Sequence, residues 1–193
     1  MKKETAALTE NRVFENDAFG EDNLLEGVYE ECRFMRCTFN GADLSGVTFR
    51  NCAFEGCDMS LVKLRDTGLQ EVRFTECKLL GIQFNECRTF LLELEFKRCM
   101  LKHSVFHKLN LKNTKFADCD LQEADFTGAD LSGALFGNCN LSRTIFEHTN
   151  LEKADFRSAY NYSINPETNR LRKARFSLPG VAGLLDRYGI EIE

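Results

Sequence analysis

Residues 124–136 read ADFTGADLSGALF, and in them Phe126, Leu131 and Phe136 stand five apart, each two residues after an Ala. The same spacing runs outward in both directions. Towards the N-terminus every fifth residue from Phe14 to Phe84 is apolar: Phe14, Phe19, Leu24, Tyr29, Phe34, Phe39, Leu44, Phe49, Phe54, Met59, Leu64, Leu69, Phe74, Leu79 and Phe84. The phase slips by two residues at 85–90. It resumes at Leu91 and alternates Leu and Phe through Phe96, Leu101, Phe106, Leu111, Phe116, Leu121, Phe126, Leu131, Phe136, Leu141, Phe146 and Leu151 to Phe156, with Leu171 and Phe176 in the same phase. Sixteen of the seventeen Phe lie on this column, and Phe90, inside the slip, is the exception.

A period of five fits neither regular element. Five residues advance an α-helix by about 500°, so the apolar stripe would spiral around it. A flat strand would send successive column residues to opposite faces. The chain must therefore bend every five residues, as a coil with one short side per pentad and one large side chain pointing inward from each side. A second inward slot lies two residues before the column and holds small residues, among them Cys32, Cys52, Thr67, Cys77, Cys99, Ser104, Cys119, Ala124, Ala129 and Cys139. The other three positions are mostly polar and face water. The predicted core thus includes Phe116, Leu121, Phe126, Leu131 and Phe136 with Cys99, Cys119 and Cys139 packed beside them.

Segments such as Ala124-Asp125-Phe126-Thr127-Gly128, Ala129-Asp130-Leu131-Ser132-Gly133 and Ala154-Asp155-Phe156-Arg157-Ser158 resemble the pentapeptide-repeat family. The resemblance implies an all-β fold, a right-handed quadrilateral β-helix with four pentads per coil and nearly eight coils in all, on the order of 37 Å long at about 4.8 Å per rung. Residues twenty apart then stack, Cys37 over Cys57 and Cys77, and Phe over Phe on two opposite faces. The expected organisation is an N-terminal tail over 1–11, a β-helix over 12–177 with an irregular coil at 157–170, and a cap and dimerisation segment over 178–193. Asn165-Pro166-Glu167 reads as a turn, and the alternation of Tyr160, Tyr162 and Ile164 as a short strand. In the cap, Ser177 and Pro179 begin a short helix, Gly189 stops it, and Ile190-Glu191-Ile192 alternates as a strand.

A narrower resemblance lies in the tail. The stretch from Asp155 through Asn165-Pro166-Glu167 to Asn169-Arg170, and the ending Gly183-Leu184-Leu185 to Tyr188-Gly189-Ile190, are similar to the microcin-immunity and plasmid quinolone-resistance branch. That branch implies rod-like homodimers joined at their C-terminal ends, here through Leu184, Leu185, Tyr188, Ile190 and Ile192. It implies DNA gyrase or topoisomerase IV as partner, protected from poisons by mimicry of DNA. The chain departs from the quinolone-resistance proteins in lacking their two long projecting loops. A pentapeptide-repeat scaffold with another partner is the alternative that the wider family implies.

Composition bounds the chemistry. The 193 residues are 43% hydrophobic and 28% charged, which suits one domain with its own core. A net charge of -5 argues against a strong basic grip on nucleic acid, so no direct nucleic-acid contact is expected. No apolar run is long enough for a membrane span, and the start, MKKETAALTENRVF, lacks the apolar stretch of a secretory signal; a cytoplasmic protein is expected. Nine Cys in such a chain are read as reduced thiols in the small slot rather than as disulfides. Cys99, His103 and His107 have a spacing that suits a metal site on a helix, but the five-residue coil sends Cys99 inward and both His outward. With no nucleophile motif, phosphate loop or HExxH, the expectation is a non-enzymatic protein with no cofactor and no metal. Its best acidic cluster is Asp118, Asp120, Glu123, Asp125 and Asp130, the candidate partner-binding surface. Charge is unevenly spread: residues 1–90 carry -5, residues 91–156 carry -2, and residues 157–193 carry +2.

Overall fold

The computed structural model describes residues 7–20 and 26–191. Its strands are β1 (Leu8–Glu10), β2 (Val13–Glu15), β3 (Val28–Glu30), β4 (Arg33–Met35), β5 (Thr48–Arg50), β6 (Ala53–Glu55), β7 (Gly68–Gln70), β8 (Val72–Thr75), β9 (Leu94–Lys97), β10 (Lys115–Ala117) and β11 (Leu135–Gly137). They form two parallel sheets, β1-β3-β5-β7 and β2-β4-β6-β8-β9-β10-β11. The second sheet alone spans about six turns, and single bridges carry its ladder on from Leu135 to Asp155 and Arg175. The fold is the expected quadrilateral β-solenoid, with register fixed at twenty residues: Phe14 lies beside Phe34 and Phe34 beside Phe54.

The bend comes from one backbone conformation. The residue two after most column positions turns through the left-handed region; twenty-two described non-glycine residues adopt it, with φ between +46° and +61°, among them Arg36, Glu76, Arg98, Lys108 and Glu123. At the corners away from the strands the N–H of the following small-slot residue closes the bend on the carbonyl of the column residue, as from Ala42 to Phe39 (2.7 Å) and from Ala124 to Leu121 (3.0 Å).

Inside, the rings form one continuous stack. Phe14, Phe34, Phe54, Phe74, Phe96, Phe116, Phe136, Phe156 and Phe176 lie parallel, with neighbouring centroids 4.7–5.4 Å apart. Phe84, Phe106, Phe126 and Phe146 stack opposite and meet the first stack edge-on. Leu121 and Leu131 fill the other two sides, both fully buried. The small slot also donates hydrogen bonds to the rung before. The Cys57, Cys77 and Cys139 thiols point at the carbonyls of Phe34, Phe54 and Phe116 (3.3–3.4 Å), and Thr144 and Thr149 use their hydroxyls in the same way (2.9 Å). All nine Cys, Cys99 and Cys119 included, are buried and unpaired by disulfides. Burial pushes the Cys52 thiol up to about 11 and the Cys87 thiol up to about 12.

Five expectations shift. The ladder begins at Leu8, before the expected boundary at residue 12, because β1 already pairs with β3. The two-residue insertion lies between Arg88 and Leu94 rather than at 85–90: Gly68 still pairs with Arg88, whereas Val72 pairs with Leu94, twenty-two residues on. Leu91 is therefore an exposed corner at φ +56°, and Leu92 packs against the core in its place. Tyr162 and Ile164 are buried as their alternation suggested, but the segment makes only the Asn140–Tyr160 bridge, and the Ile164 N–H turns instead to the Gly183 carbonyl (2.8 Å). The C-terminal helix is two 3-10 turns, Pro179–Leu184 and Asp186–Tyr188, ended by Gly189 at φ +59°. Ile190 and Glu191 pair with no rung and form no strand, and Ile192 lies outside the described residues.

Phe116 has parallel rings on both sides, at 5.2 and 5.1 Å. Its replacement by Ala should cost about 3–5 kcal/mol in denaturant unfolding, whereas Phe90→Ala, at an exposed position, should stay within about 0.5 kcal/mol of the parent. Equal losses would show that the ring stack is not what holds the rungs.

Candidate interaction surfaces

The acidic cluster is not a bare carboxylate stripe. Asp120, Asp125 and Asp130 occupy the same position on successive sides of one coil, so they point from three different faces. Along the rod their in-register neighbours carry no carboxylate: Met100 and Asn140 flank Asp120, Val105 and Ile145 flank Asp125, and Asn110 and Asn150 flank Asp130. Three of the five acids pair with a Lys or Arg of a neighbouring rung, and a fourth, Asp125, meets an imidazole. Asp120 meets Lys102 (3.1 Å), Glu123 meets His103 (3.3 Å) and Arg143 (3.1 Å), Asp125 meets His107 (2.6 Å), and Asp130 meets Lys112 (3.5 Å). Asp118 accepts a hydrogen bond from Asn138 (3.1 Å). His103 and His107 are thus engaged outward with acids, away from buried Cys99, and no group of side chains suited to a metal ion occurs among the described residues.

The same stitching runs the length of the rod. Arg33 pairs with Glu55, Arg36 with Glu15, Arg98 with Glu76 and Arg170 with Glu152. Several Asp carboxylates do a second job. Asp125, Asp130 and Asp155 accept the N–H two residues on, from Thr127, Ser132 and Arg157, fixing the bend of the side that follows.

The insertion sets two large apolar side chains next to each other in solvent. Phe90 is 73% exposed and Leu91 62%. Their base is clamped. The Arg88 guanidinium donates to the Asp66 carbonyl (2.8 Å), to the Gly46 and Val47 carbonyls (both 3.2 Å) and to the Thr48 hydroxyl (2.9 Å), reaching across two earlier rungs. Beside the knob lies an open polar cleft of about 420 Å³, with Glu71, Arg73, Glu93 and Lys112 on its walls. Sequence reading placed the slip but not this clamp, which depends on side-chain reach rather than on periodicity.

The C-terminal cap lies on the last coil through close backbone contact. A Cβ at Gly183 would stand 2.2 Å from the Tyr162 carbonyl, so glycine is required there. Tyr188 donates to Glu167 (2.9 Å). Asn169 completes the ladder where the repeat fails, accepting the Thr149 N–H (2.9 Å) and donating to the Phe146 carbonyl (2.7 Å). Of the residues expected at a dimer interface, Leu184 packs against its own core, Leu185 is half-buried, and Tyr188 and Ile190 are exposed. Leu178, 89% exposed, and Val181 add to that outward apolar surface and were not singled out from the sequence.

Rungs of this kind, with these corners and this slot, define a class. The family model described as "Pentapeptide repeat region" matches residues 29–94 and 83–156, and the chain belongs to the pentapeptide-repeat family. Among solved structures it is similar to two trypsin-treated variants of QnrB1, a plasmid-mediated fluoroquinolone resistance protein. Each is 18% identical with a TM-score of 0.63; the matches cover 97% and 96% of this chain and 100% and 98% of theirs. A weaker likeness is to HetL, a pentapeptide repeat protein involved in heterocyst differentiation regulation from the cyanobacterium Nostoc sp. strain PCC 7120, with 15% identity and a TM-score of 0.32 over 89% of this chain and 84% of that one. No curated protein matches. No described helix is long and apolar enough to cross a membrane.

The paired carboxylates make stability pH-dependent on the acid side. Burial opposes ionisation of Asp125 and Asp130, but the Thr127 and Ser132 hydroxyls, with His107 and Lys112, outweigh it, and Arg157 does the same for Asp155; all three sit below the usual carboxylate value. Groups depressed on folding stabilise above the unfolded value of about 3.9, and that contribution is lost as pH falls through their folded values. Melting temperature should therefore fall progressively below about pH 4, with a shallower fall in Asp125→Asn. A melting temperature unchanged down to pH 3 (~3, well under the unfolded value) would show that these pairs contribute nothing.

Proposed function

We propose that the chain is a non-enzymatic binding protein that presents a rigid rod to a protein partner, and that this partner is a type II topoisomerase of the gyrase and topoisomerase IV class, shielded from quinolone or microcin-like poisons. The observation that carries the binding role is the Phe90–Leu91 knob. It is a large apolar projection held in place by four Arg88 hydrogen bonds on a rod whose interior is filled. Apolar anchors on preorganised backbone carry most of the energy in protein interfaces. The choice of partner is supported by the likeness of the whole rod to a fluoroquinolone resistance protein and by the resemblance of the tail.

The acidic cluster gives this reading a different emphasis from DNA mimicry. Its carboxylates point from three faces, and Asp120, Glu123 and Asp130 are paired with neighbouring Lys or Arg, so shape and the apolar knob, rather than a run of charge, make the contact. Interleaved charge also favours a second reading, an interaction module for another protein.

Gyrase supercoiling of relaxed plasmid, with a quinolone present and this protein titrated in, separates the two. Relief of inhibition is expected, together with its loss in Phe90→Ala/Leu91→Ala. No effect at tens of micromolar (~10–50 µM, the weak end of specific binding) would remove the topoisomerase and leave the second reading. Relief that survives the double substitution would move the contact away from the knob.

The outward apolar side chains of the cap also support a homodimer joined at the C-terminus, working in the cytoplasm. Leu178→Asp/Ile190→Asp should then yield a folded monomer by light scattering. A dimer that persists, or a wild type that is already monomeric, would remove this interface.

A further inference from the structure

The last two rungs break the even mixture of charge. The bridges Asn150–Arg170 and Asp155–Arg175 fix the register, and the Lys153 N–H bonds the Arg172 carbonyl (3.0 Å). Lys153 therefore lies beside Lys173, with Arg172 before it and Arg157 and Arg175 on the adjoining side. The carboxylates among them are inner groups. The Asp155 side chain is 15% exposed and Glu152 28%, while the Arg157, Arg175 and Arg170 heads that hold them are 61%, 64% and 69% exposed.

Arg157 (2.7 Å) and Arg175 (3.8 Å) share the single Asp155, and Arg170 takes Glu152 (2.7 Å). Lys153, Arg172 and Lys173 are exposed and have no ion-pair partner among the described residues. Four positive charges are left uncompensated on two neighbouring rungs. The net charge of -5 for the whole chain conceals them, and the tail's +2 is their trace in the sequence.

We infer that this corner, where two adjoining sides meet at the C-terminal end of the rod, binds the phosphate backbone of a nucleic-acid duplex. The cations stand outside the carboxylates, so an approaching polyanion meets guanidinium and ammonium groups first. Guanidinium forks suit phosphate oxygens, and backbone contact needs no pocket, only charge repeated at a spacing comparable to that of the phosphates. Rungs about 4.8 Å apart supply such repetition. The contact is independent of base sequence, because the corner offers no helix or ribbon to enter a groove. It does not depend on the topoisomerase reading.

Fluorescence anisotropy with a short labelled duplex tests it. The full chain should bind in the micromolar range at low salt, with affinity falling on a log–log salt plot at a slope of about -3 to -4, the value for some four released counterions. Lys153→Glu/Arg172→Glu/Lys173→Glu should weaken binding about tenfold or more, whereas Lys63→Glu/Arg65→Glu, an equally exposed pair on the N-terminal half, should leave it within about twofold. Absence of binding by the parent would overturn the inference. So would equal losses in both variants. So would sedimentation showing that the triple variant, without DNA, breaks an association that Leu178→Asp/Ile190→Asp leaves intact, since the corner would then belong to a second copy.

Discussion

The left-handed corner two residues after most column positions is the constraint on which the rest depends. It costs a non-glycine residue about 1–2 kcal/mol, yet Arg36, Glu76, Lys108 and Glu123 all adopt it. The return is geometric. One such corner per five residues brings the chain back over itself after four sides and points one large side chain inward from each. Corners therefore persist only where a ring or a Leu below repays them with burial, about 1.5–3 kcal/mol for each large side chain. Backbone strain and core composition are set together, which is why the apolar period is kept so strictly.

That coupling explains what the sequence made legible. A column residue out of phase would put its ring in water and a polar group inside, so periodicity located the core and the small slot, while the stacking of Phe96, Phe116 and Phe136 followed from the four-sided coil that the pentapeptide-repeat resemblance implied. The insertion was harder. Leu91 and Leu92 are both leucine, so either satisfies an apolar pattern, and the choice is made by where the ladder can close. Arg88 holds the twenty-residue register through Gly68, and the two extra residues are pushed beyond it. Asn169 was missed for a similar reason: its amide stands in for backbone groups that the irregular coil does not supply, a role with no periodic signature.

The charged surface was legible in amount but not in arrangement. The acids over residues 118–130 are dense in the chain, but neighbours in sequence are not neighbours in space. On this rod the near neighbours of Glu123 are His103 and Arg143, twenty residues away on each side. Asp120 and Asp125, though close in the chain, look out from different faces. An eighteen- to twenty-two-residue offset would have found most of the pairs. Such exposed pairs are individually weak, about 0–1 kcal/mol, but repeated between rungs they oppose slippage of one coil over the next, since a shifted register sets like charges together.

A rod stitched in this way has little left with which to recognise anything. Its core is filled, many of its acids are paired between rungs, and its faces repeat. The proposed contacts all fall where the repeat is broken: at the clamped knob of Phe90 and Leu91, on the outward side of the cap at Leu178 and Ile190, and over the cations of the last rungs. Each departs from the commoner pattern of the other rungs, in which the large column side chains point in and many charges pair with the next coil. A knob alone suits one partner surface. A knob near mid-chain and a cationic end on a stiff rod, separated by about three rungs or on the order of 15 Å, can hold two surfaces at a fixed distance. Stiffness is then the property that binding uses, and the ring stack that runs unbroken past the insertion, from Phe74 to Phe96 at 5.4 Å, is what supplies it.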